Sequence, residues 1–236
     1  MKAVVVTPTY NEAENLPRMV DAIRRLNISG LQMLVVDDNS PDKTGEIADG
    51  LAKKYPDFVA GVLHRPGKMG LGTAYIKGFK HCLELGADYI IQMDADFSHP
   101  PGMLPVLLDV VKECDVAVGS RYVRGSRLGA TWGFKRRLLS WGGNSYARLI
   151  TGVPLRDVTG GFRCYRRRVL EGIDLDAVKS NGFAFQVEMA YVCHKNGFSL
   201  KEVPIEFNDR AYGQSKMSMD IIWEAFWTVW QVRGRY

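Results

Sequence analysis

The chain has 236 residues, of which 46% are hydrophobic and 24% are charged. This balance is typical of a folded globular protein and excludes an intrinsically disordered chain, and the length suits an α/β domain with a sizeable core. The formal net charge of +5 suits anionic partners such as phosphates or a negatively charged membrane surface.

We expect no disulfide framework, no signal peptide and no membrane-spanning segment. Its four cysteines lie far apart and form no CxxC pair, so we expect reduced thiols in a cytosolic setting. The first residues run directly into strand-like sequence. The nearest candidate for a span, residues 221–232, is short and interrupted by Glu224, so we expect that the protein does not cross a membrane by itself.

Short β-branched runs alternate with amphipathic stretches through the first 120 residues. Strands are predicted at residues 3–7, 33–36, 59–63, 89–93 and 116–119. Helices are predicted between them, at residues 15–26, 44–54, 73–85 and 103–112. This alternation predicts an α/β fold with a Rossmann-like, mostly parallel central sheet and helices on both faces. Ligands of such sheets bind beyond the carboxyl ends of the strands.

The alternation ends near residue 121. Residues 122–133 are rich in Gly, Arg and Ser, which is typical of a loop, and residues 134–150 combine basic side chains with Leu and Trp. A helix is then predicted at residues 183–194, a strand at 200–207 and an apolar, tryptophan-rich helix at 219–232. With no internal repeat and no linker, we expect a single domain over residues 1–236.

Two aspartates, Asp94 and Asp96, follow the apolar run YIIQM and are separated by Ala95. Residues i and i+2 of a strand point to the same side, so these carboxylates form an oxygen-rich site for Mg²⁺ or Mn²⁺ at the end of a strand. A metal ion there would bridge a substrate diphosphate. The pattern is short, and the alternative is that both acids cap the turn before Pro100 and Pro101.

Three further polar segments follow strands. In PTYNE, Tyr10 is suited to stack on a base and Glu12 to accept hydrogen bonds from a ribose or base, with helix capping as the alternative. In VDDNSPD, an acidic residue is suited to bind ribose hydroxyls, with a polar turn and N-cap as the alternative. RPGKMGLG leads into a helix N-terminus, which suits phosphate, although the segment by itself favours a tight strand-to-helix turn.

The order of these segments along the chain carries a family resemblance. PTYNE, VDDNSPD, RPGKMGLGTAY, DADFSHPP, GSRY, DVTGGFRCYRR, FQVEM and DRAYGQSK occur in this order. The chain resembles the dolichol-phosphate mannose synthases of glycosyltransferase family two, which have a GT-A fold, from residue 4 to about residue 216. PTYNE and the DxD triplet are shared by the wider family, whereas the segments from GSRY onward indicate the polyprenyl-phosphate branch.

The resemblance implies roles for individual residues. The nucleotide sugar would be held by Pro8, Tyr10, Glu12, Val36, Asp38, Asp94, Ala95, Asp96, Arg121, Arg210 and Lys216. The metal ligands would be Asp94, Asp96 and Ser98, although other members carry Gln in place of Ser98. The residues expected to be catalytic are Asp94, Asp96, Arg121, Arg210 and Lys216. The acceptor phosphate would meet Arg121, Arg136 and Ser140. Cations suit a site that gathers several phosphates.

The resemblance also implies the reaction: inverting transfer of mannose from GDP-mannose to a polyprenyl (dolichyl) phosphate, with Mg²⁺ or Mn²⁺ as cofactor. Residues 1–120 would form the nucleotide-sugar-binding part and residues 121–236 the acceptor and membrane-facing part. We expect cytoplasmic protein, held peripherally on the cytoplasmic face of a membrane by C-terminal interfacial helices or by an anchoring partner protein, and no nucleic-acid partner. Glu188 in FQVEM is expected to orient the sugar or its phosphates.

Several alternatives stay open. The basic amphipathic segment at 134–150 also suits an ordinary surface helix, and the stripe of Trp223, Phe226, Trp227 and Trp230 suits either a core or a membrane contact. The donor could be a UDP-sugar. The chain could instead be an inactive relative that only binds nucleotide or a partner protein. A dinucleotide oxidoreductase is disfavoured, because the first strand leads into PTYNE and not into a glycine-rich turn.

Overall fold

The computed structural model describes residues 1–129, 133–207 and 219–236, with the backbone alone at residues 135, 136 and 219–226. The strands are β1 (Ala3–Thr9), β2 (Leu31–Asp37), β3 (Val59–His64), β4 (Tyr89–Gln92), β5 (Val116–Ser120), β6 (Arg127–Leu128), β7 (Arg163–Arg166), β8 (Leu200–Pro204) and β9 (Glu206–Phe207). The helices are α1 (Asn15–Arg24), α2 (Thr44–Lys54), α3 (Leu71–Glu84), α4 (Leu104–Val110), α5 (Phe134–Thr151), α6 (Arg167–Glu171), α7 (Gly182–Lys195) and α8 (Met219–Arg235).

A seven-stranded sheet forms the centre of the molecule, in the order β3-β2-β1-β4-β7-β5-β8. Its neighbours pair in parallel except at β7, which runs antiparallel to both β4 and β5. The predicted α/β fold with a mostly parallel sheet is therefore confirmed. Strands β7 and β8, from the second half of the chain, share this sheet with the strands of the first half.

Alternate residues of the strands face two separate cores. Val4 and Val6 of β1 pack in one core with α3, α5, α6, α7 and α8. Ala3 and Val5 pack in the other core with α1, α2 and α4. This division follows from the period of two along a strand, which sends successive side chains to opposite faces. Helices cover both faces, as the sequence predicts.

Two features of the sheet differ from the sequence-based expectation. Residues 200–207 were expected to form a single strand, but β8 ends at Pro204 and β9 pairs with β6 in a separate two-stranded sheet. Pro204 lacks an N–H donor and the chain leaves the central sheet after it. Strand β7 was not predicted, because arginines occupy both its ends. Arg163 is nevertheless fully buried, since its guanidinium donates to the carbonyls of Gly160 (2.9 Å) and Val158 (2.8 Å).

Helices α5 and α8 pack against each other and expose apolar side chains. Phe134 and Leu149 of α5 are both 80% exposed, and Trp141 and Trp227 are also largely exposed. Val229 of α8 lies on the opposite side, within the core. Across the described ranges, no helix combines the length and apolar character that crossing a bilayer requires. All four cysteines are buried free thiols.

Candidate active site

The parallel register brings the loops after the first strands to one edge of the sheet. Thr9 at the end of β1 pairs with Asp37 at the end of β2, and Asp37 pairs with His64 at the end of β3. Strand β4 lies on the other side of β1 and leads into Asp94. The segments PTYNE, VDDNSPD, RPGKMGLG and DADFS therefore begin side by side, at the carboxyl edge where ligands of such sheets bind.

Asp94 is fixed at both its side chain and its backbone. The hydroxyl of Tyr75 donates to Asp94 Oδ1 over 2.6 Å, and the backbone N–H of Asp94 donates to Nδ1 of His99 over 3.1 Å. Burial is the main cause that raises the pKa of Tyr75 well above its usual range, and the negative charge of the neighbouring Asp94 carboxylate raises it further. Tyr75 therefore stays protonated, so it is the donor and the carboxylate is the acceptor.

Asp96 is oriented by the residue two positions later. Its Oδ1 accepts hydrogen bonds from the backbone N–H (3.0 Å) and the hydroxyl (2.6 Å) of Ser98. Phe97 between them has a φ of 62°, which is unusual for an aromatic residue and turns the chain so that Ser98 meets the carboxylate. Ser98 thus orients Asp96 directly, and its role as a metal ligand stays a prediction.

An ion pair lies beneath the loops after β2 and β3. Nη1 of Arg65 is 2.7 Å from Oδ1 of Asp38, and both side chains are almost completely buried. Burial raises the pKa of Asp38, and the Arg65 guanidinium opposes that rise. Nη2 of Arg65 also donates to the Thr73 hydroxyl over 2.6 Å, which ties this pair to the first turn of α3. Together these contacts fix an acidic group where a ribose or base is expected.

The other predicted nucleotide-sugar residues of the first half of the chain lie around this edge. Tyr10 is exposed, with the ammonium of Lys68 4.6 Å from the centre of its ring. Glu12 accepts a hydrogen bond from Asn15 Nδ2 over 2.7 Å, and its backbone N–H donates to Thr44. Pro8 lies within β1, and the side chains of Val36 and Ala95 are buried, so these two present only their backbones to a ligand.

Arg121 forms a buried bidentate ion pair with Asp157. Its Nε and Nη2 each lie 2.8 Å from a carboxylate oxygen, and its backbone N–H also donates to Oδ2 over 2.9 Å. Nη2 donates in addition to the Thr159 hydroxyl over 2.6 Å. The Asp157 carboxylate raises the pKa of Arg121 against the opposing effect of burial, while Arg121 lowers the pKa of Asp157. The guanidinium is thus held in place by its own counter-ion.

The predicted acceptor side is described in part. The hydroxyl of Ser140 lies 2.7 Å from that of Tyr122, the residue after Arg121. Tyr122 also lines a polar cavity of about 310 Å³ together with Trp141, Asn144, Ser145, Arg148 and Arg156. The side chain of Arg136 and the whole of Arg210 and Lys216 lie outside the described residues. Their predicted phosphate contacts stay predictions.

Residues 4–174 match the sequence profile of Glycosyl transferase family 2. The chain belongs to glycosyltransferase family 2. It is 47% identical over 237 aligned residues to the polyprenol monophosphomannose synthase of Mycolicibacterium smegmatis, an alignment that covers 99% of this chain and 88% of that protein. It is 44% identical to the undecaprenyl-phosphate mannosyltransferase of Micrococcus luteus, covering 100% of this chain and 96% of that protein. The predicted enzyme class is therefore confirmed.

Solved structures of more distant proteins share the fold of this family 2 glycosyltransferase. Glucosyl-3-phosphoglycerate synthase of Mycobacterium tuberculosis, bound to UDP, superposes with a TM-score of 0.69 at 16% identity, covering 99% of this chain and 80% of that one. Mannosyl-3-phosphoglycerate synthase of Rubrobacter xylanophilus superposes with a TM-score of 0.67 at 18% identity, covering 100% of this chain and 73% of that one. At these identities the likeness establishes the fold alone.

The described carboxylates of this family 2 glycosyltransferase do not form a closed metal cage. Within the described ranges, no group of three or more His, Cys, Asp or Glu side chains is arranged to hold a metal ion. Neighbouring donors hold Oδ1 of Asp94 and Oδ1 of Asp96. Mg²⁺ is commonly held by one or two carboxylates together with substrate phosphates. The residues present therefore fit a metal ion that binds together with a diphosphate.

Glu188 of the glycosyltransferase, expected to orient the sugar or its phosphates, is completely buried. Its Oε2 accepts the backbone N–H of Ser180 over 2.7 Å, and its Oε1 pairs with Arg235 and accepts the Tyr236 hydroxyl over 3.1 Å. Burial and this carboxylate raise the pKa of Tyr236 to about 12. Glu188 therefore joins the loop before α7 to the end of α8, and in this arrangement it holds protein groups.

Several residues that build the site of this glycosyltransferase were not assigned to it from the sequence. Arg65 opens the RPGKMGLG segment, but its pairing with Asp38 follows only from the adjacency of β2 and β3. Asp157 lies in DVTGGFRCYRR, and its partner Arg121 is distant in sequence. His99 follows the DxD triplet and precedes two prolines, a pattern that predicts an ordinary loop residue. The one signal available was a polar residue close after a predicted strand, and among these three residues it applies to Arg65 alone.

Proposed function

We propose that this enzyme transfers mannose from GDP-mannose to a polyprenyl phosphate and forms a polyprenyl-phosphate mannose. The observation that carries the proposal is the similarity, over 99% and 100% of this chain, to two proteins named for this lipid chemistry, at 47% and 44% identity. The similarity includes the second half of the chain, where the acceptor residues are expected. The assignment of GDP as the nucleotide of the donor is based on the resemblance of the site segments to those of dolichol-phosphate mannose synthases.

The arrangement of the donor site supports binding of a nucleotide sugar. Tyr10 offers an exposed aromatic face for a base, and the buried Asp38 offers a fixed hydrogen-bond acceptor for a ribose or base. Lys68, beside Tyr10, adds a positive charge on the same side. Asp94 and Asp96 lie at the next strand end, where the diphosphate would follow the nucleoside.

A divalent metal is part of the proposal, with Mg²⁺ or Mn²⁺ held by Asp94, Asp96 and the donor diphosphate. When bound, such an ion neutralises charge on the departing diphosphate. The residues of the chain contribute orientation: Tyr75 and His99 fix Asp94, and Ser98 fixes Asp96. Orientation of this kind lowers the barrier, because the groups need no rearrangement as charge develops.

The acceptor needs no strong general base. A phosphate monoester has a second pKa near 6, so it is largely a dianion at neutral pH and is already a nucleophile. Its oxygen would form a bond to the anomeric carbon as the bond from that carbon to the diphosphate breaks. The nucleoside diphosphate leaves with the electron pair, and the configuration inverts. Arg121, held rigidly by Asp157, supplies positive charge on the acceptor side.

We also propose that α5 and α8 place the enzyme on a membrane surface, where its lipid acceptor resides. Phe134, Trp141 and Leu149 of α5, with Trp227 and Trp230 of α8, leave large apolar side chains in solvent. Exposed aromatic and aliphatic side chains on a helix with basic residues are typical of interfacial membrane binding. The proposal places this peripheral association at the cytoplasmic face, with or without an anchoring partner protein.

A donor comparison tests the proposal. Purified enzyme is incubated with a short polyprenyl phosphate, Mn²⁺ and labelled GDP-mannose or labelled UDP-glucose, in parallel with reactions that contain EDTA. The proposal predicts a labelled lipid from GDP-mannose that is lost with EDTA. Product from UDP-glucose alone would mean that the donor is a UDP-sugar and not GDP-mannose. Full activity in EDTA would refute the requirement for a divalent metal ion. Absence of transfer from either donor, with nucleotide still bound, would favour an inactive relative.

A further inference from the structure

Tyr75 contacts the metal-site aspartate, Asp94, from inside the protein core. It belongs to α3, while Asp94 follows β4, and its hydroxyl donates to Asp94 Oδ1 over 2.6 Å. The tyrosine is fully buried, and Asp94 is partly exposed. One oxygen of the carboxylate is therefore held from within the core. A hydrogen bond to a charged acceptor at this distance is among the stronger ones in proteins.

The ring of Tyr75 is held by packing on two helices. It stacks on Phe79 of α3 at a centroid distance of 5.8 Å and on Phe185 of α7 at 5.9 Å, in the second case with the planes only 2° apart. Close packing also joins the helices themselves, since a Cβ on Gly72 of α3 would lie 2.9 Å from Cδ2 of Phe185 in α7. The hydroxyl cannot move far without disturbing these contacts.

We propose that Tyr75 is a positioning residue for the transfer reaction, which fixes the rotamer of Asp94 so that the carboxylate meets the metal ion and the donor diphosphate. This inference rests on the proposed function. Residues that hydrogen-bond to metal-binding carboxylates orient them and strengthen metal binding, and their loss typically weakens metal affinity or activity by about 10–100-fold. Tyr75 touches neither substrate nor metal and acts through Asp94.

The effect of losing the hydroxyl is confined to the carboxylate. The backbone of Asp94 is held separately, through its N–H donated to His99, and His99 stacks on Phe162 at 5.1 Å. Tyr75→Phe keeps the ring and its two stacking contacts. The loop therefore keeps its path, while the Asp94 side chain gains freedom to rotate.

Tyr165 provides a matched control. It is also fully buried, lies in the same core, and donates its hydroxyl to Gln92 over 3.2 Å. Tyr165→Phe therefore removes a buried hydroxyl of the same kind without touching Asp94. Both variants are compared with the wild type by urea unfolding, by binding of Mn²⁺ with GDP present, and by steady-state transfer. Free Mn²⁺ is measured by electron paramagnetic resonance, with GDP alone as the blank.

We expect Tyr75→Phe to raise the Mn²⁺ dissociation constant, and the Mn²⁺ concentration for half-maximal transfer, by about tenfold. Tyr165→Phe is expected to leave both within about twofold, although both variants lose some stability. Equal Mn²⁺ affinities in Tyr75→Phe and the wild type would overturn the inference, as would equal losses in the two variants. If the wild-type enzyme binds no Mn²⁺ in the presence of GDP, both the metal site of the proposed function and this inference are refuted. If the wild type binds Mn²⁺ and Tyr75→Phe binds it equally well, the metal site stands and only the role of Tyr75 is refuted.

Discussion

Replacement of Asp157 by asparagine tests the buried ion pair that holds Arg121. The side chain of Asp157 is 0% exposed and that of Arg121 is 10% exposed, so neither charge reaches much water. Asparagine keeps the shape of the side chain but removes the negative charge. The guanidinium is then left buried beside Tyr122 and Phe207, whose rings offer only weak compensation. Removing one partner of a buried pair costs about 3–5 kcal/mol.

Equilibrium unfolding in urea, followed by tryptophan fluorescence, measures this loss. With a urea dependence of about 1–3 kcal/mol per molar, the midpoint of Asp157→Asn is expected to fall by about 1–3 M or more. Asp176→Asn serves as the control, because Asp176 pairs with Lys80 on the surface and both side chains are exposed. Exposed pairs contribute little, so its midpoint is expected to match that of the wild type.

A wild-type midpoint in Asp157→Asn would refute this reasoning, because it would mean that Arg121 is not buried beside an essential counter-ion. A large loss in both variants would equally contradict it, since burial would then not distinguish the two pairs. If Asp157→Asn is as unstable as expected, Arg121 depends on Asp157 for its position. Any loss of transfer activity in Asp157→Asn then results from displacement of the Arg121 guanidinium.

Four further outcomes are expected. Asp96→Ala abolishes transfer while circular dichroism and the urea midpoint stay near those of the wild type; unchanged turnover would contradict the metal site. Because its folded-state pKa is lowered, Asp157 stabilises the fold above about pH 4 and loses that effect as pH falls further, so Asp157→Asn should show a weaker acid dependence than the wild type. Arg235→Gln removes the charged partner of buried Glu188 and lowers stability by about 1.5–3 kcal/mol in urea unfolding. Leu149→Ser weakens co-sedimentation with anionic vesicles about tenfold and leaves the urea midpoint unchanged; equal binding would argue against α5 as the membrane contact.

The sheet of the first half was predictable because its signals are local. Each of β1 to β5 is an apolar run followed by a polar loop, and each helix between them has an amphipathic pattern. Strand β7 escaped prediction for a physical reason. Arg163 and Arg166 make it look exposed, and only the carbonyls around Arg163 show how such a side chain is buried in a central strand.

The candidate site was predictable as a set of strand ends but not as a set of contacts. Asp94 and Asp96 can be recognised from the sequence by their spacing at the end of an apolar run. The residues that orient them cannot be recognised in this way, since Tyr75 reaches Asp94 only because α3 packs beside β4. Arg65 likewise meets Asp38 through the pairing of β2 with β3. Contacts between distant elements require the packed structure, which the local pattern does not contain.

Transfer of labelled mannose to a lipid phosphate tests the proposed reaction most directly. The enzyme is incubated with GDP-mannose, Mn²⁺ and either a polyprenyl phosphate or the same polyprenol without phosphate, and the organic phase is analysed by mass spectrometry and NMR. We predict a mannosyl phosphodiester from the phosphate acceptor alone, with the anomeric configuration opposite to that of the donor. Mannose transferred to the free polyprenol, or a product of retained configuration, would contradict the proposed mechanism.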